Sequence, residues 1–236
     1  MTITDKTRWL ICAGLGIVTL VAAILILPLF PRDAASDVSG YGGPVYAFEF
    51  AESIQDLIAV FGTADDPEQA RRLVMMDRGN RWDFGFMTLY GLFGMSFGWA
   101  VSRTISGLGR GIIALAILGS LADLVETGTL LALSEEFADG GSALPGLFYL
   151  RAVVTVKFAA IGAVVGLAGL YLWHRGSALW RALGAVSLIA VLAMLPALIW
   201  PESYGGVLGL SIGMGWIIML AYASRSALRG AIPPRR

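Results

Sequence analysis

The chain has 236 residues, of which 57% are hydrophobic types and 14% charged, with a formal net charge of zero and a mean hydropathy of +0.74. Ordinary soluble domains carry about 25% charge, so a water-soluble globule and a disordered chain are both excluded, and no basic field exists to hold nucleic acid. A single cysteine, Cys12, rules out a disulfide framework or thiolate metal site, and a single histidine, His174, rules out bis-histidine haem within this chain; no metal or cofactor is expected.

A bilayer core of ~30 Å needs about 20 apolar residues in helix, and six windows supply them. The first, Trp9–Phe30, follows Lys6 and Arg8. A signal peptide would look similar, but its apolar core runs only about 7–15 residues, so this run reads as an uncleaved anchor.

Residues 31–82 form the only sizeable polar stretch. Phe50, Ala51, Ile54, Leu57, Ile58 and Phe61 recur at helical spacing, and Gly62 is a natural stop. Asp65-Asp66-Pro67-Glu68 is a helix start of Asp cap, proline and acid, which predicts a second short helix over about 67–78. The segment therefore reads as a cap of two amphipathic helices on the outer face, or as a lid over a cavity.

The remaining spans are Phe84–Val101, Gly111–Leu133, Leu147–Trp173, Leu179–Trp200 and Tyr204–Ala223. With the N-terminus inside, ten basic residues and one acid, Asp5, fall on the cytoplasmic side, against five basic and fourteen acidic residues outside. This is the positive-inside pattern. It predicts an all-α membrane protein, a six-transmembrane-helix bundle in the bacterial cytoplasmic (inner) membrane. Both termini are cytoplasmic. The expected parts are 1–30 (N-terminus and first span), 31–82 (extracytoplasmic cap) and 83–236 (five-helix bundle). An Arg-to-Lys ratio of 15 to 2 accompanies GC-rich bacterial genomes. Glycines four apart in span 2 (Gly94, Gly98), span 4 (Gly162, Gly166) and span 6 (Gly205, Gly209, Gly213) predict close helix packing, in the bundle or at a dimer face.

Charges at membrane depth cost roughly 2.5–3.5 kcal/mol each on insertion scales, so they carry the most information. Asp123 and Glu126 share one face of span 3; Arg151 and Lys157 lie on span 4. Counted from the outer ends, Asp123 and Lys157 are both 11 residues in, about 16 Å down at ~1.5 Å per residue. Asp123 should therefore meet Lys157, and Glu126, nearer the surface, should meet Arg151. Asp83 and Tyr90 on span 2 approach the same level, with Thr127 and Thr155 as nearby hydroxyls. Two acids facing two bases would cancel, so a structural salt-bridge network is one reading. The other is a polar pocket opening outward that binds a small polar or amphipathic ligand or relays protons, with Asp123, Glu126 and Lys157 as its floor, Tyr90, Asp83 and Arg151 along the approach, and Glu49 of the cap facing them.

No G-x-S-x-G, H-E-x-x-H or P-loop occurs, and no internal repeat suggests an inverted-repeat transporter. Four short motifs do stand in order: Phe48-Glu49-Phe50-Ala51, Asp83-Phe84-Gly85-Phe86 with Tyr90-Gly91, Asp123-Leu124-Val125-Glu126-Thr127, and Lys157-Phe158. Over about residues 44–160 this order resembles an uncharacterised group of bacterial polytopic integral membrane proteins. The resemblance departs at Thr127, where that group carries Asn. It implies that Glu49, Asp83, Tyr90, Asp123, Glu126 and Lys157 belong to one constellation, and it implies no activity.

Three functions stay open: a protein binding a small polar or amphipathic ligand, or a lipid, in an intramembrane pocket; a non-catalytic subunit of a larger membrane complex; and a lipid-modifying enzyme, the least supported. The partners expected are membrane lipids, a small amphipathic ligand, and a second copy or a membrane complex.

Overall fold

The computed structural model describes residues 4–141 and 145–229. Among them every regular element is helical. Six helices are long and apolar enough to cross a membrane: α1 (Asp5–Ile26), α4 (Gln69–Val101), α5 (Ser106–Ala138), α6 (Leu147–Arg175), α7 (Ala178–Ile199) and α9 (Gly206–Arg229). Three short helices join them: α2 (Pro44–Glu49), α3 (Ile54–Phe61) and α8 (Pro201–Tyr204).

The long helices pack as a ring in the order α1, α4, α5, α6, α7, α9 and back to α1, with α6 also touching α9 across it. Helices α4 and α6 bury the largest share of their apolar windows, 56% each, whereas α1 and α7 bury 28%. The polar cluster described below draws on both of the more buried helices, α4 and α6, and on α5 between them. Leu25, Leu192 and Leu210 point outward and are exposed, as a lipid-facing surface requires.

Small residues set the closest approaches. A side chain at Gly98 would strike the Gly109 carbonyl of α5, and one at Gly169 would strike the Gly184 carbonyl of α7. Span 6 uses its glycines differently from the expectation. Gly205 abuts the Tyr41 carbonyl and Gly209 the Tyr46 hydroxyl, both outside the spans, and Gly213 has open space beside it. Its triplet is therefore not a helix–helix seam.

The segment between α1 and α4 corrects the predicted cap in two places. The first helix expected there is split into α2 and α3, and α3 is opened by a capping box in which Ser53 Oγ accepts the Asp56 N–H and the Asp56 carboxylate accepts the Ser53 N–H. Gly62 ends it with φ +95°. Phe50 and Ala51 are buried but lie in the break between α2 and α3. The second short helix, expected over 67–78, is instead the start of α4, which runs unbroken past the expected boundary at 82–83. Polarity changes there but nothing breaks the backbone: Asp66 Oδ1 accepts the Glu68 N–H at 2.9 Å, and no proline follows until past the span.

The segment is bound firmly. Arg72 bridges Asp33 (3.1 Å) and Asp66 (2.7 Å) and donates to the Phe61 carbonyl at 3.0 Å. The Arg71 guanidinium beside Asp33 holds that carboxyl below the usual range. The Glu68 N–H, with Arg72 next, does the same for Asp66. Ala35 and Ser36 donate to the carbonyls of Val60 and Ala59. Gly42, at φ +88°, lets the chain turn directly against Gly206.

Candidate functional site

Helix α2 is six residues long, too short to stand alone in water. Pro44 sets its first turn. Its placement comes from the aromatic residues at its end. Phe48 is fully buried edge-on against Phe61 at 4.9 Å, and Phe50 stacks on Phe158 of α6 at 5.8 Å. Between these anchors Glu49 has nowhere to go but inward, against α5 and α6.

There it meets Lys157. The ammonium lies 2.6 Å from Glu126 Oε1, 3.2 Å from Glu49 Oε1 and 3.5 Å from Asp123 Oδ1. It also sits 4.4 Å from the centre of the Phe158 ring, a favourable cation–π distance. Tyr90 of α4 donates its hydroxyl to Asp123 Oδ2 at 2.6 Å, and its ring packs on Trp216 of α9 at 5.3 Å. At the edge of the group, Thr127 donates to Asp83 Oδ2 at 3.2 Å. Side-chain exposures are 6% for Lys157, 1% for Glu126, 6% for Asp123 and 12% for Glu49. A hydrophobic shell including Phe48, Phe50, Leu130, Val154 and Phe158 surrounds them.

The structure thus gathers Glu49, Tyr90, Asp123, Glu126 and Lys157 directly, with Asp83 beside them. Arg151 stands apart, and the expected pairing with Glu126 is overturned. Its guanidinium donates to the Leu198 and Ile199 carbonyls at 2.7 and 3.3 Å, approaches Glu52 at 3.6 Å and covers the Phe50 ring at 4.9 Å. The last carbonyls of α7 have no helical N–H to receive them, and Arg151 fills that need. Lys157 is then closest to Glu126, not Asp123; the two helices are offset from the expected alignment by about one turn. Thr155 bonds back to the Arg151 carbonyl at 2.8 Å and takes no part.

This exchange alters the electrostatics. Two acids against two bases would be neutral. Instead three buried carboxyls surround one ammonium, a formal sum of −3 + 1 = −2. Glu49 Oε2, Asp123 Oδ1 and Glu126 Oε2 are buried without a hydrogen-bond partner, a costly state for a polar atom. Burial pushes the Glu49 carboxyl up, against the pull of the Lys157 ammonium. Among the described residues no three His, Cys, Asp or Glu side chains form a set that could hold a metal ion.

Asn80, which the sequence reading passed over, is 3% exposed with its amide nitrogen unpartnered. It lies three residues before Asp83 on the inward face of α4. That spacing was the available signal.

Two surface grooves of about 320 and 440 Å³ lie along the N-terminal half of α4 and the C-terminal end of α5, near Val74, Asp77, Arg81 and Glu135. No residue of the cluster lines either one. Comparison with protein-family models, with curated proteins and with solved structures finds no match.

Proposed function

We propose that this chain is a multi-pass protein of the bacterial inner membrane that binds a small polar or amphipathic ligand at the Glu49–Asp123–Glu126–Lys157 cluster. The site faces the outer side beneath an extracytoplasmic cap formed by residues 31–68, and both termini are cytoplasmic. The charge asymmetry of the loops supports this orientation. One observation carries the ligand reading. Three buried carboxyls converge on a single cation, and one oxygen of each lacks a hydrogen-bond partner, more acid than a purely structural bridge needs. Glu49 enters on a short helix outside the six spans, so displacing α2 opens the cluster without moving a spanning helix.

Native mass spectrometry of the protein released from detergent tests the reading. A retained non-protein mass is expected in the native chain and lost in a folded Glu126→Gln variant. A native chain that carries no such mass, or carries it equally in the variant, sinks it.

A second reading, a non-catalytic subunit of a membrane complex, is supported by the closure of the cluster, since neither groove reaches it. The same spectra separate the two: this reading expects a heteromeric mass and no small ligand.

A further inference from the structure

We propose that the cluster is a proton-binding site, in which Glu49 and Glu126 share one proton above Lys157. The inference rests on reading the cluster as a ligand site reached from the outer side when α2 moves, and it names the simplest ligand that site takes.

The observations are geometric. Glu49 and Glu126 both contact the Lys157 ammonium, through Oε1 in each case. Touching one ammonium at 3.2 and 2.6 Å brings the two carboxyls side by side, and the Oε2 atom of each is buried and unpartnered. Two carboxylates this close do not both stay ionised away from water; one takes a proton and donates it to the other. Glu126 is 1% exposed, so solvent does not relieve the repulsion. The groups facing the pair are accounted for on every neighbouring element. From α2 comes the neutral Tyr46 as well as Glu49, from α4 Tyr90 and Asp83, from α5 Asp123, and from α6 Lys157. Trp216 of α9 adds no charge. Among the described residues Lys157 is the only cation in contact with the carboxyls, and Arg151 is turned away to the α7 carbonyls. A metal ion is a poor alternative: the ammonium already occupies the point where the carboxyls converge, and no metal-holding set exists among the described residues.

The balance is simple. One proton from the outer aqueous phase binds a Glu49 oxygen, no covalent bond other than O–H forms, and the formal charge of the cluster rises from −2 to −1. A second proton, on Asp123, would make it neutral. When α2 moves out, Glu49 carries its proton to water, leaving Glu126 paired with Lys157.

The test is infrared difference spectroscopy of the full chain in lipid nanodiscs, in H2O and in D2O, at neutral pH. The native protein is expected to show the C=O stretch of a protonated carboxyl, downshifted in D2O. Glu49→Gln and Glu126→Gln each reduce that band, whereas the exposed Glu202→Gln does not. Both Gln variants mimic the protonated acid, so they keep the fold; circular dichroism verifies this. Absence of the band in the native chain, or a band that neither Gln variant reduces, overturns the proposal. That failure leaves the ligand reading intact, because mass spectrometry tests the latter independently.

Discussion

Lys157→Met removes the ammonium and keeps most of the apolar stem, so packing against Phe158 survives. Three carboxyl contacts, at 2.6, 3.2 and 3.5 Å, vanish together. The formal charge of the buried group moves from −2 to −3. Removing one partner of a buried ion pair costs about 3–5 kcal/mol, and three stranded carboxyls place this variant toward the upper end. For a chain of this size about 2–4 °C accompanies each kcal/mol, so the midpoint of a thermal melt in detergent falls by about 6–20 °C. Adding Glu126→Gln to Lys157→Met removes one stranded acid and supplies an amide donor to Glu49. The double variant is expected to recover at least about 1 kcal/mol. A single variant within about 1 kcal/mol of native, or a double variant no more stable than Lys157→Met, would refute the reasoning.

Other outcomes follow from the same geometry. Arg151→Met combined with Glu126→Gln should be additive within about 0.5 kcal/mol, because Arg151 contacts the α7 carbonyls and not Glu126; a coupling above about 1 kcal/mol in chemical denaturation would restore the discarded pairing. Tyr90→Phe leaves Asp123 Oδ2 without its 2.6 Å donor and should lower stability by about 1.5–3 kcal/mol, measured by melt; no change would mean the bond does not form. Gly42→Ala meets both a left-handed φ of +88° and the Gly206 backbone, and should cost more than about 1 kcal/mol. Asp33 and Asp66 have carboxyls held below their ordinary range by Arg71, Arg72 and the Glu68 N–H. Their contribution is present above the unfolded value, about 3.9 for Asp, and is lost as pH falls through the folded one. Proteolysis of residues 31–68 should therefore rise below about pH 4; Arg72→Met should raise proteolysis already at neutral pH and flatten its pH dependence.

The spans were legible because hydrocarbon allows little besides an apolar helix, and each of the six windows overlaps a long helix, overrunning it by at most four residues. What hydropathy cannot mark is a helix that continues into water. Arg71, Arg72, Asp77, Arg78 and Arg81 read as a separate soluble helix, yet they belong to α4, since charge does not break a helix that carries no proline, and Gly79 within it is packed against Phe30. Counting residues inward from span ends gave the right helices for the charged cluster and the Asp123–Lys157 contact, present at 3.5 Å, but the wrong partner for Glu126. It assumed that spans 3 and 4 begin level, and side-chain partners are set by offset and azimuth as well as depth. Nothing in the sequence near Arg151 announced that the α7 terminus needed a donor; that demand comes from Leu198 and Ile199, 47 and 48 residues away. Glu49 had no periodicity to place it, and its position became intelligible only from Phe48 and Phe50, which anchor either side of it.

The most direct test of the central claim, that acids of α5 meet the α6 lysine away from water, is a charge exchange. Glu126→Lys and Lys157→Glu are made separately and together, and the folded yield of each is measured by size-exclusion chromatography in detergent. Each single variant is expected to lose the monodisperse peak, and the double exchange to regain a substantial part of it. If the double variant is no better than the two singles, or if both singles elute as the native protein does, the two side chains do not face one another and the cluster is not a unit.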